Sequence, residues 1–241
     1  METRNLAVSL LRGAGRVASE HRRLLLLMML GVLVGTAALM FHDRAWSDWI
    51  TTDRREPWLT AARKLSFWGD YPTGQLLLCI GLWAAGWWRK RYSWRVAALA
   101  ALLSSTCAGL EVNIVRMSTG RARPRTETAD HWIGPTLNAR YASFPSAHTA
   151  TAFGLAGALV GVMPPVGTVA TIGAAGVGWS RLYNKAHYPA DVWTSVGVGL
   201  LNGFVFAKAA RRLLRPVVHP QFDPTGPRDV KPGNVTPFQA G

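Results

Sequence analysis

Apolar positions along this chain come in long blocks rather than in the two-residue rhythm of a half-buried strand. Leu24–Phe41 and Gly74–Trp88 contain no charged residue, and Trp94–Met117 is a third apolar block with Glu111 and Asn113 inside it. A fourth runs from Ser146 to Met163. Pro164-Pro165 turns it into a fifth ending near Tyr183, and a sixth runs from Pro189 to the basic cluster Lys208, Arg211, Arg212 and Arg215. A hydrocarbon core of about 30 Å takes roughly 20 helical residues to cross. The pattern therefore predicts an all-α, polytopic membrane protein with six transmembrane helices over residues 24–215.

Two further stretches have helical spacing without the length of a span. In residues 1–23, Leu6, Leu10, Ala14 and Val17 recur among Arg4, Arg12, Arg16, Arg22 and Arg23. This basic amphipathic segment reads either as a helix lying on an anionic membrane face or as a frayed tail. Basic residues before an apolar stretch also describe a secretory signal, but Leu24–Phe41 is long for a signal core and lacks a clean cleavage site. It is read as a retained anchor. Residues 42–70, between spans 1 and 2, hold Trp46, Trp49, Trp58 and Trp68 in two helical stretches parted by Pro57. Interfacial helices with indoles at headgroup depth fit this segment, and a lid over a lipid site is the sharper version. Residues 216–241 are rich in proline and polar residues and read as a disordered tail.

Charge decides the orientation. The net charge is +14, with 49% apolar and only 17% charged residues. Such an excess ordinarily suggests nucleic acid, but here it flanks apolar blocks, so topology and lipid headgroups account for it. The expected partner is the bilayer, with neither nucleic acid nor a protein partner. Six spans put both termini on one side, together with the basic loop Arg89, Lys90, Arg91 and Arg95. The 42–70 segment on the other side balances Arg44, Arg54, Arg55, Arg63 and Lys64 against Asp43, Asp48, Asp53, Glu56 and Asp70. Both termini are thus expected in the cytoplasm of a cell whose inner or plasma membrane holds the protein. Segments 116–145 and 180–191 then share the extracytoplasmic side. Cys79 and Cys107 lie inside apolar blocks and read as buried thiols.

Those two extracytoplasmic segments carry the candidate chemistry, in a core spanning 116–191. His187 and Asp191 are four apart across a helix start, where a carboxylate can hold one imidazole nitrogen and leave the other nucleophilic. A purely structural His–Asp contact is the bland alternative. His148 follows Ser146 into the first turn of the fourth span, where free N–H groups and the helix dipole suit an anion. Arg116, Arg123 and Arg181 sit at the outer ends of spans, against the positive-inside bias, and forked guanidinium groups match phosphoryl oxygens. Arg121, Arg125 and Arg140 are expected to be solvated or in contact with headgroups. Glu111 is expected to pair with an arginine or remain protonated, with a proton relay as the sharper reading. Asp130–His131 has no spacing signal, and His21, His42 and His219 read as solvated.

Arg116-x6-Arg123-Pro124, then Pro145-Ser146-Ala147-His148, then Ser180-Arg181-x5-His187-x3-Asp191 resemble the three-part signature of the type 2 phosphatidic acid phosphatase superfamily, K-x6-R-P, P-S-G-H and S-R-x5-H-x3-D. Arg116 stands where that family usually has lysine, and Ala147 replaces the glycine. The resemblance implies a phosphatase in which His187, oriented by Asp191, attacks phosphorus to give a phosphohistidine. His148 would protonate the leaving oxygen and then activate water. Arg116, Arg123, Arg181 and Ser146, with the N–H groups at Ala147 and His148, would hold the phosphoryl oxygens. No metal or other cofactor is implied, since the arginines supply the positive charge. Family members act on undecaprenyl diphosphate, phosphatidylglycerophosphate, phosphatidate and lipid A 1-phosphate, so a phosphorylated lipid is the implied partner and a polyprenyl diphosphate the favoured substrate. A lipid phosphotransferase using the same site, and a phospholipid-binding protein without catalysis, are the alternatives.

Overall fold

The computed structural model describes residues 3–126 and 132–215. Their regular structure is helical: α1 (Thr3–Glu20), α2 (Arg22–Met40), α3 (Asp43–Thr51), α4 (Glu56–Trp68), α5 (Leu76–Trp88), α6 (Tyr92–Thr119), α7 (Ala147–Val162), α8 (Pro164–Tyr183) and α9 (Pro189–Leu214). A π turn at Tyr71–Gln75 leads into α5. The six apolar blocks become α2 and α5–α9, with ends within about two residues of those read from the pattern. Of these, α2, α6 and α9 are long and apolar enough to cross a membrane, while α7 is apolar but shorter at 16 residues. Leu26, Leu27 and Leu30 of α2 point outward into space that, in water, would be costly to leave uncovered.

Local chemistry sets the helix ends that matter later. Gly120 stops α6 in the left-handed conformation at φ 60°, which costs glycine little. Pro189 occupies the first turn of α9, and the Asp191 carboxylate accepts the Tyr188 N–H at 2.9 Å, which satisfies a donor that the helix start leaves free.

At the centre, α7 packs against α6, α8 and α9. Its small residues allow this. A Cβ on Gly203 of α9 would stand 2.8 Å from the Gly157 Cα of α7, so the two backbones touch where no side chain fits. That close approach holds the N-terminal ends of α7 and α9 next to each other, with Ser146 N–H donating to Ser195 Oγ at 2.7 Å.

Helix α1 differs from the reading of it as a membrane-surface helix. Leu6, Leu10, Ala14 and Val17 form one stripe, as expected, but the stripe joins a core with Phe206, Ala209 and Ala210 of α9. It meets protein where lipid was expected, and Arg4, Arg12 and Arg16 face outward. His21 is likewise engaged rather than solvated, lying 3.0 Å from Val17 O and 2.7 Å from Lys208 Nζ. Glu111 accepts from Asn202 Nδ2 at 2.9 Å, and among the described residues no arginine pairs with it. Cys79 is buried, Cys107 half-buried, and both are free thiols. His42 is exposed. Asp130–His131, His219 and the 216–241 tail lie outside the described residues.

The 42–70 segment forms α3 and α4, broken at 52–55. Helix α4 lies on α8, with Trp58 edge-on to Trp179 and Ser66 bonded to Arg181. Helix α3 turns Asp43, Ser47 and Thr51 inward.

Candidate active site

Four chain segments meet beside the first turn of α7. Arg116 closes α6, Arg123 follows Gly120, Arg181 closes α8, and His187 precedes α9. The 120–126 segment is held by backbone bonds: Arg123 N–H donates to Arg140 O at 3.0 Å and Ser143 N–H to Arg121 O at 3.1 Å. This pairing fixes Ser143 just ahead of Pro145-Ser146-Ala147-His148.

Among the described residues, Arg116, Arg123 and Arg181 each have a buried Nε with no hydrogen-bond partner, as do Arg95 and Arg121. Among the described residues none of the first three is paired with a carboxylate; Arg116 reaches Asn113 Oδ1 and Arg181 reaches Ser66 Oγ, both neutral. An unsatisfied buried donor costs about 1–3 kcal/mol, and guanidinium groups that meet no carboxylate are chemically suited to an anion. Their mutual proximity registers electrostatically. Burial first, and then Arg125, Arg181 and Arg116, push the Arg123 guanidinium down to about 10. The charges of Arg116, Arg123 and Arg181 also bear on His148.

His187 is 1% exposed. Its Nδ1 lies 2.6 Å from Ser143 O, which makes Nδ1 the protonated nitrogen and leaves Nε2 with a free lone pair. Asp191 was expected to make that contact directly; its Oδ2 is 3.7 Å from Nδ1, one step further back. Burial holds the His187 imidazole down to about 4, helped by Arg181 and Arg123 and opposed by Asp191. An imidazole kept neutral in this way presents a free Nε2 lone pair at neutral pH.

His148 Nε2 lies 3.2 Å from Asp70 Oδ1, at the mouth of the π turn. Asp70, Tyr71, Asn113, Arg116, Ala147 and His148 line a cavity of about 320 Å³, with the Ala147 methyl on its wall. Ser146 is fully buried and its Oγ is 3.0 Å from Thr149 Oγ1, inside the first turn. The N–H groups of Ala147 and His148 belong to the turn that has no intrahelical acceptors for them.

Arg121 overturns its expectation. It is 6% exposed and forks between two carboxylates, Nη1 donating to Asp191 Oδ1 at 2.6 Å and Nη2 to Asp43 Oδ2 at 2.7 Å. Its guanidinium lies 4.2 Å from the centre of the Tyr188 ring. Arg125 and Arg140 are exposed, as expected. Asp43, Asp70 and Ser143 were not singled out from the sequence. A contact spanning 78 residues, as between Arg121 and Asp43, leaves no periodic trace; the one available signal was Asp43 at the foot of an otherwise apolar span.

A family model described as the PAP2 superfamily matches residues 94–215. Over 143 residues the chain is 30% identical to undecaprenyl-diphosphatase BcrC of Bacillus subtilis (strain 168), covering 59% of this chain and 70% of that protein. Among solved structures it resembles a transmembrane PAP2-type phosphatidylglycerolphosphate phosphatase from Bacillus subtilis, with a TM-score of 0.61 at 23% identity over 80% of this chain and 98% of that one. It also resembles LpxE of Aquifex aeolicus, with a TM-score of 0.50 at 20% identity over 67% and 92% of the two chains. At these identities the two structures speak to the fold.

Proposed function

The chain belongs to the PAP2 superfamily, and from that membership we propose that it is an integral-membrane lipid phosphatase acting at the extracytoplasmic leaflet on a polyprenyl diphosphate. The observation that carries the reading is that Arg116, Arg123 and Arg181, none paired with a carboxylate among the described residues, gather beside His148 and His187. The 30%-identical relative named as an undecaprenyl-diphosphatase supports the substrate. In the proposed topology α2 and α5–α9 span the bilayer, α3 and α4 lie at its outer surface, and both termini are cytoplasmic.

The proposed reaction has two steps, with His187 as nucleophile and His148 as acid and then base. His187 Nε2 attacks the terminal phosphorus while Ser143 O holds the Nδ1 proton, and the bond to the lipid phosphate breaks. His148 gives its proton to the leaving oxygen. Water, deprotonated by His148, then displaces His187 and releases inorganic phosphate. Arg116, Arg123 and Arg181 take up the charge on the equatorial oxygens throughout, joined by the N–H groups at the start of α7.

The test is phosphate release by purified protein in detergent, with chelator present, from polyprenyl diphosphate, phosphatidylglycerophosphate, phosphatidate and lipid A 1-phosphate. The diphosphate is expected to give the highest kcat/KM, with inhibition by vanadate, which mimics five-coordinate phosphorus. Release from a single lipid without an acceptor separates hydrolysis from phosphotransfer. Undiminished turnover in the His148→Ala, His187→Ala double variant would overturn the reading.

A further inference from the structure

A buried chain of charges runs from α3 to the proposed nucleophile. Asp43 and Asp191 are 2% and 0% exposed, with Arg121 between them. Asp43 also accepts the Ala190 N–H at 2.8 Å, at the start of α9. Asp191 Oδ2 accepts Ser143 Oγ at 2.6 Å, on the residue whose carbonyl holds His187. Asp43 lies outside residues 94–215, the part of the chain that matches the family model.

We propose that Asp43 is a positioning residue that sets the basicity of His187 by offsetting the charge of Arg121. The inference rests on His187 being the nucleophile. One guanidinium between two carboxylates leaves the buried cluster at net −1. Arg121 with Asp191 alone would be neutral. The nucleophile needs the negative balance, because its imidazole gains positive charge as Nε2 bonds to phosphorus while Nδ1 keeps its proton. The surroundings otherwise oppose that charge: Arg123 from the 120–126 segment, Arg181 from α8 and His148 from α7 all face His187. Asp191, backed by Arg121 and Asp43, is the negative counterweight, and Tyr188 covers the guanidinium face. The fork also does what a single bond would not, since it ties α3 to the first turn of α9 and prevents Arg121 from turning toward the phosphoryl site.

The test compares Asp43→Asn, Arg121→Gln and the double variant with the wild-type protein in detergent. The readouts are kcat, KM, melting temperature and the pH titration of the His187 imidazole by nitrogen NMR. Asp43→Asn keeps the shape and an acceptor for the Ala190 N–H while removing the charge. Its kcat is expected to fall about tenfold, the size of a unit-charge effect across a partly screened interior. KM should stay nearly constant and the His187 titration should move to lower pH. The double variant leaves Asp191 alone at net −1, so its His187 titration should return toward wild type and its kcat should exceed that of Asp43→Asn. Asp43→Asn keeps Arg121 paired with Asp191, so its titration reports even where the double variant, with Asp191 buried and without its guanidinium, folds poorly.

The proposal is overturned if the His187 titration is unmoved in Asp43→Asn, or if the double variant is worse than both singles in kcat and titration alike, the pattern of a purely structural bolt. Failure of the underlying function is separable, because the wild type would then release no phosphate and match His187→Gln.

Discussion

At the residue scale, the site separates two kinds of arginine that look alike in sequence. Arg121 and Arg123 are two positions apart, yet Arg121 is locked between two carboxylates while Arg123 is paired with none among the described residues. Spacing and the family resemblance put forward Arg116, Arg123, Arg181, His148, His187 and Asp191, because helix ends and short motifs are local. It could not identify Asp43, Asp70 or Ser143, whose roles come from tertiary contacts. Two outcomes follow at this scale. Arg181→Gln should lower kcat by about 10²–10³ without unfolding the protein, the usual cost of removing one preorganised donor to a charged transition state, as read by phosphate release alongside a melting curve. His187, held near 4 in the folded protein against an ordinary 6.5, should titrate near 4 by nitrogen NMR. Its depressed value means that the unfolded chain takes the proton first. The stability it lends is therefore complete above pH 6.5 and fades as pH falls toward 4, which denaturant midpoints across that window will measure.

At the element scale, the helices were legible because apolar block length and flanking turn residues act locally. Pro164 and Pro189 open α8 and α9, and Gly120 closes α6. What remained hidden was which face of each helix meets which neighbour. The α1 stripe was visible as a stripe, but only packing against α9 says that it covers protein. The α7–α9 contact depends on the absence of side chains, which reads in sequence merely as a run of Ala and Gly. Gly203→Ala would push a methyl against the Gly157 backbone. It should destabilise the protein by about 1–3 kcal/mol, the cost of overpacking, seen as a lower melting temperature in detergent. Activity should fall with it, because α7 and α9 carry His148 and Asp191 in their first turns.

At the scale of the whole molecule, the proposed six-span topology puts every phosphoryl-facing group on one side of the membrane. Single cysteines introduced at Asn138 and at Arg91 test it in intact cells, since Cys79 and Cys107 lie within helices. A membrane-impermeant maleimide should label Asn138→Cys from outside and reach Arg91→Cys only after the membrane is opened. The central claim, however, is chemical: a phosphoryl group is passed through His187 at a site built from guanidinium groups that meet no carboxylate among the described residues. The most direct measurement uses polyprenyl diphosphate labelled at its terminal phosphorus and the His148→Gln variant, in which water attack on the intermediate is slowed. Acid-labile, base-stable label on His187, absent when His187→Gln is added, is the predicted result; phosphate release with no label at any stage on His187 would contradict it.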